Sequence, residues 1–205
     1  MVAIHLIFDL TELYPVLNWE YPPIFSFLMN WGGIAFFLIS GICVTLGRHH
    51  LHRGVIVFGC GMLISAVTVL INAMPIRFGV LHCLGLCMLL WHLFRRICAK
   101  ALCIIGMALS VLGLLFGSYT VSVPYLYPLG LTAPGFESAD FFPLLPYFGY
   151  FLLGAAFGKR YYKSRKSLFS NFPALPFFRF CGRHTLLIYL IHQPVLIVVI
   201  EAVLA

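Results

Sequence analysis

His5, Asp9 and Glu12 stand at i, i+4 and i+7, so one helix face carries an imidazole and two carboxyls. A carboxylate four residues from an imidazole fixes its tautomer and stabilises its protonated form, half of a base-and-orienter pair that needs only a substrate hydroxyl or amine. A second stretch runs from Gly182-Arg183-His184 through apolar sequence into His192-Gln193-Pro194. There the His and Gln sit beside a proline that interrupts the backbone ladder. A third is Arg77-Phe78-Gly79-Val80-Leu81-His82-Cys83-Leu84-Gly85, in which two glycines admit a neighbour or ligand close to His82. For all three the alternative is structural, with polar side chains bonding across a helix bundle. Nothing resembles a phosphate-cradling glycine loop, HExxH or GxSxG, so a soluble nucleotide-hydrolysing or serine-hydrolase mechanism has no support.

Two further patterns look like metal sites and are read otherwise. Arg48-His49-His50-Leu51-His52-Arg53 is a short basic loop between two spans. Cys83-x3-Cys87 and Cys98-x4-Cys103 lie in apolar helices, where cysteines are small packing residues. No metal and no disulfide is expected.

The elements that must position these residues are membrane helices. Of 205 residues 62% are hydrophobic and 9% charged, against roughly 25% charged in a soluble domain. The fold class is therefore all-α, a polytopic membrane bundle forming a single domain over 1–205. Seven hydrophobic segments are expected: Val2 to about Leu17, Trp31 to Leu46 (with Pro22 as an earlier start), Gly54–Asn72, Phe78–Phe94, Ala99–Phe116, Pro143–Gly158, and one from near His184. A rise of 1.5 Å per residue takes the stretch after Thr185 across a core of about 30 Å and leaves His192 near its middle. Polar groups at that depth face a bundle interior or a wet cavity.

Charge placement sets the expected topology. Arg48 and Arg53 follow the second segment, Arg95, Arg96 and Lys100 the fourth. Lys159, Arg160, Lys163, Arg165, Lys166, Arg179 and Arg183 lie between the sixth and seventh. Arg77 alone falls elsewhere, and Asp9, Glu12, Glu20, Glu137, Asp140 and Glu201 all fall towards the opposite side. The positive-inside rule puts the basic loops in the cytoplasm and the C-terminus outside. The net charge of +7 then meets anionic lipid or a cytosolic anion, not nucleic acid. Gly182-Arg183-His184 precedes a helix N-terminus, which favours phosphate together with Arg48, Arg53, Arg95 and Arg96. The first segment has no cytoplasmic flank and supplies about half a span, so upstream residues are expected.

Ile4-His5-Leu6-Ile7-Phe8-Asp9-Leu10, Phe36-Phe37-Leu38-Ile39-Ser40-Gly41, Ile76–His82, Asp140–Gly149 and Gly182–Pro194 occur in that order. Together they resemble the bacterial members of the heparan-alpha-glucosaminide N-acetyltransferase catalytic-domain family, within the wider transmembrane acyltransferases. The family's Arg-Gly helix start upstream of His5 is absent here. No histidine between Glu12 and Pro23 matches the catalytic one of the lysosomal relative. The resemblance implies acetyl transfer from cytoplasmic acetyl-CoA, as co-substrate, to an amino sugar or envelope glycan across a bacterial inner membrane.

On that reading Arg48, Arg53, Arg95, Arg96, Arg183 and His184 hold the CoA phosphates. His5, His82 or His192, with Asp9, serves as general base or acyl carrier, and Arg77, Gln193 or Glu12 binds the acceptor or the oxyanion. Partners would be membrane lipids, acetyl-CoA and a glycan or small-molecule acceptor, with homo-oligomers open. The competing class is a proton-coupled transporter without acyl chemistry, since intramembrane His and carboxyl groups also relay protons.

Overall fold

The computed structural model describes residues 2–14, 16, 22–72, 74–162 and 176–204, without the side chains of Glu12, Leu13 and Asn30. The expectations placed on Glu12, Glu20, Lys163, Arg165 and Lys166 therefore lie outside the described residues. Eight α-helices follow one another: α1 Val2–Phe8, α2 Pro23–Leu46, α3 His50–Leu70, α4 Val80–Phe94, α5 Ala99–Phe116, α6 Leu144–Tyr161, α7 Pro176–Arg183 and α8 Thr185–Leu204. A π-helical turn, Asp9–Leu13, extends α1, and a 3-10 turn, Pro124–Leu129, lies between α5 and α6.

The protein is an all-α integral membrane bundle, and each hydrophobic segment read from the sequence carries a helix among the described residues. By length and apolarity α3, α5 and α8 can each cross a membrane, and the bent pair Pro23–Met29 with Trp31–Leu46 makes a fourth. At 15 residues α4 is shorter than a full span, about 22 Å at 1.5 Å per residue. Two boundaries moved. The expected start of α3 at Gly54 comes forward to His50, because the histidine-rich stretch is taken up into the helix and only Gly47–His49 turn the chain. Helix α6 runs on to Tyr161, carrying Lys159 and Arg160 in its last turn, where cations suit the helix dipole. The eight-residue α7 was read as loop; its amphipathic pattern is too short to register as a hydrophobic run.

The chain forms two compact units, Met1–Gly33 with Phe169–Ala205, and Ile34–Leu168. In the larger, α3 pairs with α4 and α5 with α6. Between spans in lipid no hydrophobic force distinguishes a neighbouring helix from an acyl chain, so close backbone approach through small residues drives the packing. A Cβ on Gly85 of α4 would lie 2.8 Å from Phe58 Cα of α3, and one on Gly149 of α6 would lie 2.6 Å from Ser110 N of α5. Neither position has room for a side chain. Helix α6 is the core of this unit, with Phe148, Phe151, Leu152, Ala155 and Ala156 buried. The second half of α2 joins it through Phe37, fully buried, whose ring centroid is 5.0 Å from that of Tyr147.

One end of the larger unit is basic. The rings of His50 and His92 approach to 5.7 Å, which sets Arg48 and Arg53 at the start of α3 beside Arg95 and Arg96 at the end of α4. Lys159 closes that end: its Nζ donates to Arg95 O and Ile97 O, both at 2.6 Å, and lies 5.4 Å from the Trp91 ring centroid. The opposite end is knitted by backbone. Phe142 N donates to Phe78 O at 2.9 Å and Ala139 N to Pro75 O at 3.2 Å, while Val80 N donates to Asp140 Oδ2 at 2.9 Å. The charge asymmetry of the sequence is thus a property of the folded unit.

Candidate active site

In the smaller unit α1 packs with α8, and the polar side chains of both meet. The Asp9 carboxyl is 1% exposed and accepts from Gln193 Nε2 at 3.0 Å on each oxygen. The His5 and His192 rings stand edge to face with centroids 4.9 Å apart. The π-helical turn beginning at Asp9 adds a residue to the turn, a feature frequent at functional sites. Tyr14 ends this turn, and its OH donates to Glu201 Oε1 at 3.0 Å.

Helix α8 supplies the chemistry. His192 Nδ1 lies 2.6 Å from the Tyr189 carbonyl oxygen. A carbonyl only accepts, so Nδ1 carries a proton, and in the neutral ring Nε2 then holds the lone pair. That Nε2 is buried without a hydrogen-bond partner among the described residues, and so is Gln193 Oε1. A buried polar atom left unsatisfied costs about 1–3 kcal/mol, and two in one cluster make this the candidate site. Two residues after His192, Pro194 lies inside the helix and offers no N–H to the carbonyl of Leu190.

The geometry sorts the residues singled out by sequence. His5, Asp9, His192 and Gln193 come together. Gln193 was read as binding the acceptor or the oxyanion; its Nε2 faces Asp9, and the atom without a partner among the described residues is the acceptor Oε1. His82 belongs to the larger unit and caps α4: its Nδ1 accepts from Gly79 N at 3.2 Å, and its Nε2 is 3.4 Å from Ser65 Oγ. The Ser65 hydroxyl in turn donates to Ile76 O. Both ring nitrogens of His82 therefore have structural partners. Arg77 N donates to Ser138 Oγ at 3.1 Å, and its guanidinium carbon lies 5.6 Å from the Phe136 ring centroid, a cation–π contact.

Arg48, Arg53, Arg95 and Arg96 share the basic end of the larger unit, whereas Arg183 and His184 sit at the α7–α8 bend in the smaller. That bend is not an open helix N-terminus. His184 N donates to Phe180 O at 3.1 Å, and the Thr185 hydroxyl turns back to Cys181 O at 2.9 Å rather than forward as a cap. Among the described residues no three His, Cys, Asp or Glu side chains group as a metal would require. Sequence reasoning missed the Tyr189 carbonyl, whose only signal is its place one turn before His192.

At the contact of the first and last described helices of this membrane bundle a buried imidazole and a buried carboxyl come together with an amide. The chain belongs to the heparan-alpha-glucosaminide N-acetyltransferase catalytic family, whose model matches residues 1–194. Its function is thus of the membrane acetyltransferase kind. No curated protein and no solved structure matches it.

Proposed function

We propose that the protein is an acetyl-CoA-dependent N- or O-acetyltransferase of a bacterial inner membrane, acting as a single domain. It would move acetyl from the cytoplasmic face to an amino sugar or envelope glycan beyond the membrane. The observation that carries this reading is His192: one ring nitrogen is held by Tyr189 O, and the other is buried with no hydrogen-bond partner among the described residues. His192 Nε2 takes the proton of the acceptor amine or hydroxyl as that atom attacks the thioester carbonyl. When the tetrahedral intermediate collapses and the carbon–sulfur bond breaks, the same nitrogen returns the proton to the departing CoA thiolate. The atoms balance without a further reactant. Asp9 holds Gln193, which leaves the Gln193 Oε1 to accept from the same acceptor group. The arginines of the basic end of the larger unit, Arg48, Arg53, Arg95 and Arg96, suit the CoA phosphates. Basic connections on the cytoplasmic face and the C-terminus outside accord with this direction of transfer.

The test is transfer from labelled acetyl-CoA to amino sugars by the purified protein in proteoliposomes. His192→Ala is expected to lower transfer by about 10²-fold or more while acetyl-CoA still binds. Full transfer by that variant removes His192 from the mechanism, and transport of solute without any need for acetyl-CoA removes the acyltransferase reading.

A further inference from the structure

The contact of α1 with α8 does not involve α7, the helix that sequence reading left as loop. Helix α7 has eight residues, Pro-Phe-Phe-Arg-Phe-Cys-Gly-Arg. At 1.5 Å per residue it is about 12 Å long, far short of a span. Its residues are sorted by face. Arg179 and Arg183, four apart, share one side; Phe177, Phe180 and Cys181, at i, i+3 and i+4, share the other, with Phe178 at its border. The phenylalanines are open: Phe177 is 70% exposed, Phe178 66% and Phe180 60%. There is no acidic residue in the helix. One residue after it, at the bend of His184, begins α8, which is long and apolar enough to cross the membrane. The Phe180 and His184 rings cover that bend with centroids 4.6 Å apart.

A short amphipathic helix with bulky aromatics on one face and arginines on the other, attached to the head of a span, has the composition of a helix that lies in the interface. Its position beside the span puts the phenylalanines at the depth where acyl chains meet headgroups. The arginines then stand at headgroup level, where cations attract anionic lipid. We propose that α7 is a membrane-surface helix that docks on anionic phospholipid in the leaflet where α8 begins, its phenylalanines inserted and Arg179 and Arg183 on the headgroups.

The experiment uses the full chain with the photo-crosslinking analogue benzoylphenylalanine in place of Phe178, in nanodiscs of three parts phosphatidylcholine to one part phosphatidylglycerol. After illumination the adducts are identified by mass. The expected products are lipid adducts in which the ratio of phosphatidylglycerol to phosphatidylcholine is about fivefold that of the nanodisc, the size of effect one basic side chain has at an anionic surface. Arg179→Gln with Arg183→Gln should keep the lipid adducts and lose the enrichment. Adducts to protein, of this chain or a second copy, overturn the proposal. So do lipid adducts without enrichment, which would leave bare hydrophobic insertion. Enrichment abolished by free coenzyme A also overturns it, because the arginines would then belong to the co-substrate.

Discussion

Removing one partner of the Asp9–Gln193 contact should weaken the association of α1 with α8 by an amount that depends on the other partner. Gln193 Nε2 stands 3.0 Å from both carboxyl oxygens, and the carboxyl is 1% exposed. In water-soluble proteins a hydrogen bond to a charged group is worth about 1.5–3 kcal/mol. Interhelical bonds in membranes average about 0.6 and reach about 1.7 kcal/mol, because helices separated in lipid find other partners. Deep burial and contact with both oxygens place this one near the top of the membrane range, about 1.5 kcal/mol. Asp9→Leu and Gln193→Leu should each cost about 2 kcal/mol, since each leaves a buried polar group alone. The double replacement should cost about 2.5 kcal/mol rather than the additive 4, a coupling of about 1.5 kcal/mol. Reversible unfolding in mixed detergent micelles, followed by far-ultraviolet circular dichroism, measures all four corners of the cycle. Single effects that add to within about 0.5 kcal/mol would refute the reasoning, since independent sites behave that way.

Three other outcomes follow from the larger unit. Burial raises the Asp140 carboxyl above the ordinary value of 3.8, against the pull of the Val80 N–H in the other direction. Its contribution to stability is therefore complete below that ordinary value and is lost as pH rises through the raised one. Asp140→Asn should flatten this part of a thermal midpoint against pH profile; an unchanged slope would contradict it. Lys159→Met removes the donor from Arg95 O and Ile97 O and the cation over Trp91, and should cost about 1 kcal/mol at this partly exposed site. That corresponds to about 2–4 °C in the thermal midpoint. If the basic end holds CoA phosphates, Arg95→Gln with Arg96→Gln should weaken acetyl-CoA binding most at low salt, read by equilibrium binding across ionic strength. Equal loss at every salt concentration would speak for a structural role.

Much of the architecture is legible along the chain because membrane helices are specified locally. An apolar run must satisfy its own backbone in lipid, so Ala99–Phe116 is helical over the bounds its hydropathy suggests. Legibility failed where the signal is shorter than a span. The eight residues of α7 have a face pattern but no hydrophobic run, and the π-helical turn at Asp9 leaves no mark on composition. His82 shows another limit. Its neighbours, two glycines and an arginine, fit a ligand site and a helix cap equally well, and only the positions of Gly79 N and Ser65 Oγ distinguish them.

The sequence by itself determined that the protein is a helical membrane bundle whose basic residues gather in alternate connections. Those properties come from composition and from periodicities within single helices. Only the tertiary structure decided that Asp9 meets Gln193, 184 residues away, that His5 meets His192, and that the Tyr189 carbonyl takes one His192 nitrogen while the other has no partner among the described residues. Side-chain pairing across helices depends on which faces pack and how far each turn is wound, and one extra residue in a π turn changes both.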